Sequence, residues 1–138
     1  MYVDHKLRLD SELDIGAATP LTSQVSTYSV DLGAAKDIAA GRPLYLVVVV
    51  DESFAGGTSV MFTVVSDTVA TLASPTHHVQ TIAILNDDLT AGREPIVLPV
   101  GEIDSDRERY IGCYYTISGT FTAGKVTTFF SLDPQTNW

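Results

Sequence analysis

Three alternating acids make one stretch of this chain the best candidate for a metal site. Glu102, Asp104 and Asp106 lie in "EIDSDRERY", and Ca²⁺ takes several oxygen ligands from a flexible loop. However, the stretch lacks the glycine and the distal bidentate glutamate of a calcium-binding loop. Arg107 and Arg109 also offer these carboxylates partners within the stretch. We therefore expect a solvated charged loop over residues 102–109 and no bound metal.

The three histidines, His5, His77 and His78, are the next candidates for metal ligation. Neighbouring residues of a strand point to opposite faces, so His77 and His78 cannot both hold one ion in the usual way. The sequence contains no second cluster of histidine or cysteine to complete a ligand set. A zinc site is therefore not supported.

The motifs of nucleophilic and phosphate chemistry are missing or incomplete. No G-x-S-x-G nucleophile elbow occurs. The stretch "GTFTAGK", residues 119–125, has the glycine and lysine spacing of a phosphate-binding loop, but Val126 stands where serine or threonine is required. It also lies between two predicted strands, so no helix N-terminus would face a phosphate. We predict a protein that is not an enzyme and that uses no cofactor.

The charge balance argues against nucleic acid as a partner. The 138 residues, enough for one domain, include 8 basic and 17 acidic side chains, for a net charge of −9. Lysine and arginine are not clustered, as counterion displacement from nucleic acid would require. The polar N-terminus has no signal-peptide core, and the longest apolar run is far below the roughly 20 residues of a membrane span. We expect synthesis in the host cytoplasm and no membrane contact.

The pattern of apolar residues and turns predicts about eight short strands and no alternation of strand and helix. This favours an all-β antiparallel sandwich or barrel. The segments "RYIGCYYTIS" and "KVTTFFSLD" predict a hairpin whose turn carries Gly119 and Gly124. Pro95 and Pro99 bracket "IVL" and predict an edge strand. The single cysteine, Cys113, lies in an apolar strand and is expected to be a small buried hydrophobe.

Two strands are apolar on both faces, which is unusual for a sandwich with one face in water. In "GRPLYLVVVVDESF", residues 41–54, the outward set is assigned as Tyr45, Val47 and Val49, and in the next strand as Met61 and Val65. The opposite parity is not excluded by the pattern. Either the N-terminal segment or another subunit must cover these outer faces, and both could do so together.

The two ends of the chain suggest contacts of their own. Residues 1–24 are too polar to form a core element, yet apolar side chains recur through them, as in a strap laid along a neighbouring surface. A simple edge strand is the alternative. A terminal tryptophan would be a good interface anchor, although a disordered tail is equally consistent. The residues expected to contact a partner are Tyr2, Val3, Leu7, Leu9, Leu13, Tyr45, Val47, Val49 and Trp138.

Three segments together resemble a known family: "DLGAAKDIAAGRPLYLVVVVDESF", "SPTHHVQTIAI" and "RYIGCYYTISGTFTAGKVTTFFSLD", on a chain that begins "MYVDHKLRLD". From about residue 28 to residue 133, the sequence is similar to the small capsid cement proteins of tailed bacteriophages, of the type first seen on a Bordetella podovirus. The match rests on pattern and length, since none of these segments is a catalytic motif. The loop of residues 102–109 departs from it, being longer and more acidic.

The resemblance implies a jelly-roll domain over residues 25–133, after an N-terminal arm of residues 1–24 and before a tail of residues 134–138. It implies a protein on the outer surface of the virion's capsid that clamps neighbouring major capsid proteins of the HK97-like fold. It also implies a homo-oligomer, either a dimer or a trimer. Apolar surface reserved for partners agrees with this function.

Two other functions fit the same composition. A carbohydrate- or ligand-binding sandwich would need exposed aromatic side chains, and Tyr115 and Phe129 could stack outward, although core packing is the default expectation for both. A structural component of a phage tail or baseplate would share the β-rich composition.

Overall fold

The computed structural model describes residues 5–16, 23–33, 44–100 and 108–132. Nearly all regular structure in these ranges is β-strand, and the described ranges hold no α-helix. The strands are β1 (Arg8–Asp14), β2 (Gln24–Val25), β3 (Val30–Asp31), β4 (Leu44–Gly56), β5 (Ser59–Asp67), β6 (Thr76–Gln80), β7 (Ile84–Leu85), β8 (Ile96–Val100), β9 (Tyr110–Ser118) and β10 (Phe121–Ser131). Short 3-10 turns occupy His5–Leu7 and Asn86–Asp88.

The strands form two antiparallel sheets that pack against each other. The first sheet has the order β1-β10-β4-β8 and the second the order β2-β9-β5-β6. Strand β3 continues β2 along β9, and β7 continues β6 along β5, so the second sheet also has four strand positions. Two four-stranded sheets connected in this order make a jelly roll. The predicted β-sandwich is confirmed, and β8 is an edge strand as Pro95 and Pro99 indicated.

The core lies between the sheets and is built from alternate residues of the long strands. Leu46 and Val48 of β4 face Phe62 and Val64 of β5 across it, together with Phe130 of β10. Because strand residues alternate between faces, Tyr45, Val47 and Val49 lie on the outer face of the first sheet. Met61 and Val65 lie on the outer face of the second. The parity assigned from the sequence is therefore confirmed.

The outer faces are partly covered within a single chain. Val47 and Phe129, paired across β4 and β10, are both fully buried although they point away from the core. On the second sheet, Leu72 is buried against Gly112. A Cβ added to Gly112 would lie 2.6 Å from the Cδ1 atom of Leu72. The loop after β5 thus covers the second sheet. Some of the apolar side chains that point outward are therefore covered by the chain itself, without a second subunit.

The predicted hairpin of β9 and β10 is wrong. The two strands belong to different sheets, so the turn at Gly119, with φ of 82°, carries the chain across the sandwich. Gly124 lies within β10 rather than in the turn. A Cβ added to Gly124 would approach the Phe54 ring to 2.7 Å. Consecutive strands with a short glycine turn can pair or arch between sheets. The local pattern does not distinguish the two outcomes.

The expectation that residues 1–24 contribute no core element is also wrong. Strand β1 forms the edge of the first sheet beside β10, and Leu9 and Ile15 are fully buried in the core. The alternation around them is broken, with register shifts on both sides of Asp10 and with Glu12 at φ of 50°. Because of these irregularities, the strand directs selected apolar side chains into the core although its sequence is polar on average. The described part of this segment agrees with the edge-strand interpretation.

Candidate functional site

The predicted contact residues fall into three groups. Tyr45 and Val49 are half-exposed on the outer face of the first sheet, while Leu7 and Leu13 are half-buried against the core. Leu9 and Val47 are fully buried in the single chain, which leaves their side chains no surface for a partner. Tyr2, Val3 and Trp138 lie outside the described residues. A contact role for the other predicted residues stays a prediction.

The acids of the predicted charged loop, Glu102, Asp104 and Asp106, also lie outside the described residues. Within the described ranges, no group of three or more histidine, cysteine or acidic side chains is placed to hold a metal ion. His77 and His78 do contact different neighbours. The His77 ring lies 4.9 Å from the Tyr114 ring, and Nε2 of His78 lies 2.6 Å from the Ser66 hydroxyl oxygen.

Two further groups capable of nucleophilic chemistry, Ser66 and Cys113, are enclosed by the protein. Ser66, the partner of His78, is buried. Cys113 is fully buried on the inner face of β9, and burial raises the pKa of its thiol far above the ordinary value. A thiol with a raised pKa forms little thiolate and is a poor nucleophile. Cys113 is therefore a core residue, as its sequence context predicted.

Tyr115 and Phe129, the two aromatic side chains that could have stacked outward on a sugar, are both buried. Tyr115 packs edge-to-face on Phe62 with ring centroids 5.8 Å apart, and Phe129 is fully buried. Phe121 and Phe130 are buried too. None of these four rings is available for stacking on a sugar. The core-packing expectation is confirmed for Tyr115, whereas Phe129 is buried on the outer face of the first sheet.

The two lateral sides of the sandwich, where the edges of the two sheets meet, differ sharply. We call the side formed by β1 with β2 and β3 the closed seam, because hydrogen bonds cross it. The backbone N–H of Tyr28 donates to the Leu9 carbonyl at 3.1 Å. The Thr27 N–H donates to the Asp10 carboxylate at 3.1 Å. These bonds join the edge of the first sheet to that of the second.

A buried polar cluster reinforces the closed seam from inside. The Tyr115 hydroxyl donates to Asp10 Oδ2 at 2.6 Å, and its oxygen lies 2.6 Å from the Thr128 hydroxyl. Asp10 and Thr128 belong to the first sheet and Tyr115 to the second. Burial, with the nearby Cys113 and Asp10, raises the pKa of Tyr115, which keeps its proton and remains a donor. The cluster therefore bonds sheet to sheet through neutral tyrosine and a carboxylate.

The opposite side, formed by β8 with β6 and β7, we call the open seam. A groove of about 770 Å³ separates the two sheet edges there. Its apolar lining comes from both sheets, with Ile82 and Ile84 on one wall and Ile96 and Val97 on the other. Val97 lies opposite Val47 in the register of β8 and β4, so the groove adjoins the outer face that carries Tyr45 and Val49.

Ile82 is the most exposed large apolar residue described, at 83%. It projects because residues 81–83 leave the ladder between β6 and β7. Thr81 fixes this departure with three hydrogen bonds: its N–H donates to the Phe62 carbonyl, its hydroxyl oxygen accepts from the Phe62 N–H, and the hydroxyl donates to the Ile82 carbonyl. The exposed side chain of Ile82 thus extends from a backbone that hydrogen bonds hold in place.

The rim of the groove is acidic. Asp87, Asp88 and Glu94 are exposed there. Arg93 is the one basic residue of the lining, and its guanidinium donates to the backbone carbonyls of Asp88 and Glu94. The groove therefore combines a fixed apolar projection with a rim of net negative charge.

Sequence reasoning missed Ile82 and the groove. The pattern of "VQTIAIL" predicts one continuous strand that ends at "NDD", whereas the structure breaks that strand at residues 81–83. The available signal was the apolar run Ile82–Leu85, which leaves no polar face for a strand at an edge. Like the strand of residues 44–50, that run is apolar on both faces.

Among the described residues, no helix has the length and apolarity that crossing a membrane requires. A search of curated proteins found no match to this chain. The Bbp16 family model matches residues 15–130, which include both sheets except β1 and the last residue of β10. Because the match extends over most of the 138 residues, this chain belongs to the Bbp16 family, named for a Bordetella phage protein.

Proposed function

We propose that this protein is a non-enzymatic structural component of a phage virion that binds the outer surface of the capsid. There it clamps neighbouring major capsid proteins together and stabilises the DNA-filled head. The observation that carries the proposal is the family match over residues 15–130, which points to a phage-derived structural protein. The resemblance of the same segments to capsid cement proteins gives the finer assignment.

The distribution of apolar surface supports this function. A cement protein needs apolar area that its own fold leaves available to partners. The open seam supplies this area through Ile82, and the adjoining outer face supplies Tyr45, Val49 and Val97 at half exposure. Repetition of one site over an icosahedral lattice makes modest individual contacts sufficient, because binding at neighbouring sites is multivalent.

The proposed partners are a major capsid protein of the HK97-like fold and further copies of this chain, as a dimer or a trimer. The net charge of −9 supports a position outside the shell, away from the phosphates of the packed genome. The proposal includes no membrane partner, no nucleic acid and no cofactor.

The test uses heads of the encoding phage from which this gene has been deleted. Purified full-length protein is added over a range of concentrations, and the heads are sedimented. We expect saturable binding at a fixed ratio to the major capsid protein, and retention of DNA at a temperature where undecorated heads release it. Absence from wild-type heads, or binding to tails instead, would overturn the proposal in favour of a tail component.

A further inference from the structure

We propose that the groove of the open seam binds an extended segment of the partner that presents an apolar side chain flanked by lysine or arginine. This inference rests on the proposed function, because it names the chemistry of the capsid segment that the protein recognises. It depends on the shape of the groove, the fixed position of Ile82 and the charge of the rim.

The groove suits a short extended segment. Its walls are the stretches 81–84 and 93–97, each four or five residues long. An extended chain rises by about 3.3 Å per residue, so the groove accommodates roughly five residues of such a segment. Pro95 and Pro99 lack backbone N–H groups, which limits the addition of a partner strand to the edge of β8. Side chains must therefore supply most of the recognition.

Ile82 supplies the apolar contact. The three hydrogen bonds of Thr81 hold it outward in the unbound protein, so binding costs little further ordering of this wall. Ile84, Ile96 and Val97, all half-buried, complete the apolar lining of the two walls against which an inserted side chain would pack. An apolar residue of the partner that enters here excludes water from four apolar side chains together.

The rim determines the charge of the partner. Asp87, Asp88 and Glu94 are exposed, and the Arg93 guanidinium is directed to backbone carbonyls. A segment with basic residues beside its apolar anchor would place opposite charges over this rim, which favours both encounter and register. An acidic segment would be repelled.

A second copy of this chain is a less suitable occupant. Lys6 and Arg8 lie beside the exposed Tyr28 on the closed seam, and they could face an acidic groove. However, the same strand edge carries Glu12 and Asp14, so a second copy would also bring carboxylates to the acidic rim. A basic segment of another protein meets no such opposition.

The experiment compares full-length variants on heads that lack the protein. Ile82→Asp should weaken binding at least about tenfold, because a charge replaces the central apolar contact. The double variant Asp87→Asn/Asp88→Asn should weaken binding about fivefold at low salt and have little effect at about 0.5 M salt. Matched controls are Val69→Asp, also at an exposed apolar residue, and Glu12→Gln/Asp14→Asn, which removes two acids from the closed seam. Both should bind as the wild type does.

A photo-crosslinker in place of Ile82 identifies the occupant. We expect a crosslinked capsid-protein peptide with lysine or arginine within about two residues of an apolar side chain. A crosslink to another copy of this chain, or to an acidic peptide, would overturn the inference. If the wild type and Ile82→Asp saturate heads at equal concentrations, the groove is not the contact and the proposed function stands. If the wild type does not bind heads, the proposed function fails, and the inference fails with it.

Discussion

The closed and open seams join the same two sheets by different physical means. At the closed seam, backbone bonds from residues 27 and 28 and the buried Asp10–Tyr115–Thr128 cluster connect the sheets. At the open seam, a groove lies between the sheet edges and Ile82 projects at 83% exposure. Hydrogen bonds therefore link the two sheet edges directly on one side, while a groove with an apolar lining lies between them on the other.

This difference indicates a division of tasks within one small domain. A buried carboxylate is tolerated only where its hydrogen bonds are complete, and such a cluster tends to specify one arrangement of the chain. An exposed and fixed isoleucine adds nothing to the folded state of the single chain. Substitutions at the closed seam should therefore lower the free energy of unfolding. Substitutions of exposed residues at the open seam should leave it nearly unchanged and affect partner binding instead.

The strongest test of this division is removal of the Asp10 carboxylate. Asp10→Ala leaves the Tyr115 hydroxyl and the Thr27 N–H without their acceptor. We expect the free energy of unfolding to fall by about 3 kcal/mol, since two bonds to a buried charged group are lost. Urea denaturation followed by circular dichroism measures it. The control Asp14→Ala, on the same strand, should change stability by less than about 0.5 kcal/mol, and equal losses would contradict the role of the cluster.

A second test concerns Leu72, whose loop is tied to the closed-seam side by a bond from the Ser29 hydroxyl to the Ala70 carbonyl. In Gly112→Ala the new methyl group would lie 2.6 Å from Leu72 Cδ1 and 2.9 Å from the Ser26 hydroxyl oxygen. We expect a loss of about 2 kcal/mol from overpacking. The same change should cost at least about 1 kcal/mol less in a Leu72→Ala background.

The control for that test is Gly92→Ala. Gly92 has φ of 81° and no atom within 4 Å of an added Cβ, so its cost comes only from the backbone conformation. That cost should be independent of Leu72. If Gly112→Ala is equally costly with and without Leu72, steric contact with the loop is not its cause.

Local periodicity was enough to predict the strands and the direction of their faces. The outward assignment of Met61 and Val65 left Val60, Phe62 and Val64 for the core, where the structure has them, because strand geometry alone determines which residues share a face. Pro95 and Pro99 marked an edge strand for an equally local reason. Family resemblance then supplied the jelly-roll order, which no local pattern contains.

The features that depend on three-dimensional closure were not predictable. The turn at Gly119 has the same local sequence whether β9 and β10 pair or separate into two sheets. Asp10 looks like one more solvent-facing acid until Tyr115, 105 positions away, reaches it. Ile82 is exposed only because Thr81 bonds to Phe62 and ends β6 early. Each outcome is decided by partners distant in sequence.

The pH dependence of stability tests the loop that covers the second sheet. The Asp67 carboxylate accepts bonds from the Ser74 N–H at 2.8 Å and the Thr68 N–H at 2.6 Å, and the Ser74 bond is the main reason that its pKa lies below the ordinary 3.8. A carboxyl whose pKa is lower in the folded state stabilises the protein above its unfolded pKa. This stabilisation is lost as the pH falls through the folded value.

We therefore expect the wild type to lose stability below about pH 4 more steeply than Asp67→Asn, whose side chain has no such titration. Urea midpoints measured from pH 7 to pH 2 give the comparison. Thr68→Val keeps both backbone donors and should retain most of the wild-type slope. Parallel curves for the wild type and Asp67→Asn would show that the Ser74 bond does not link this loop to folding.

The smallest expected effect is at the open seam and is the one on which the comparison depends. Ile82 is already in water in the folded protein, so Ile82→Asp should change the free energy of unfolding by less than about 0.5 kcal/mol. Ile84, two residues further along, packs partly against the core, and Ile84→Asp should cost about 2 kcal/mol because it buries a polar group. Urea denaturation of the two variants separates surface from core within one segment. A loss at Ile82 as large as that at Ile84 would mean that the open seam supports the fold, in which case the weakened capsid binding of Ile82→Asp could no longer be attributed to a lost contact.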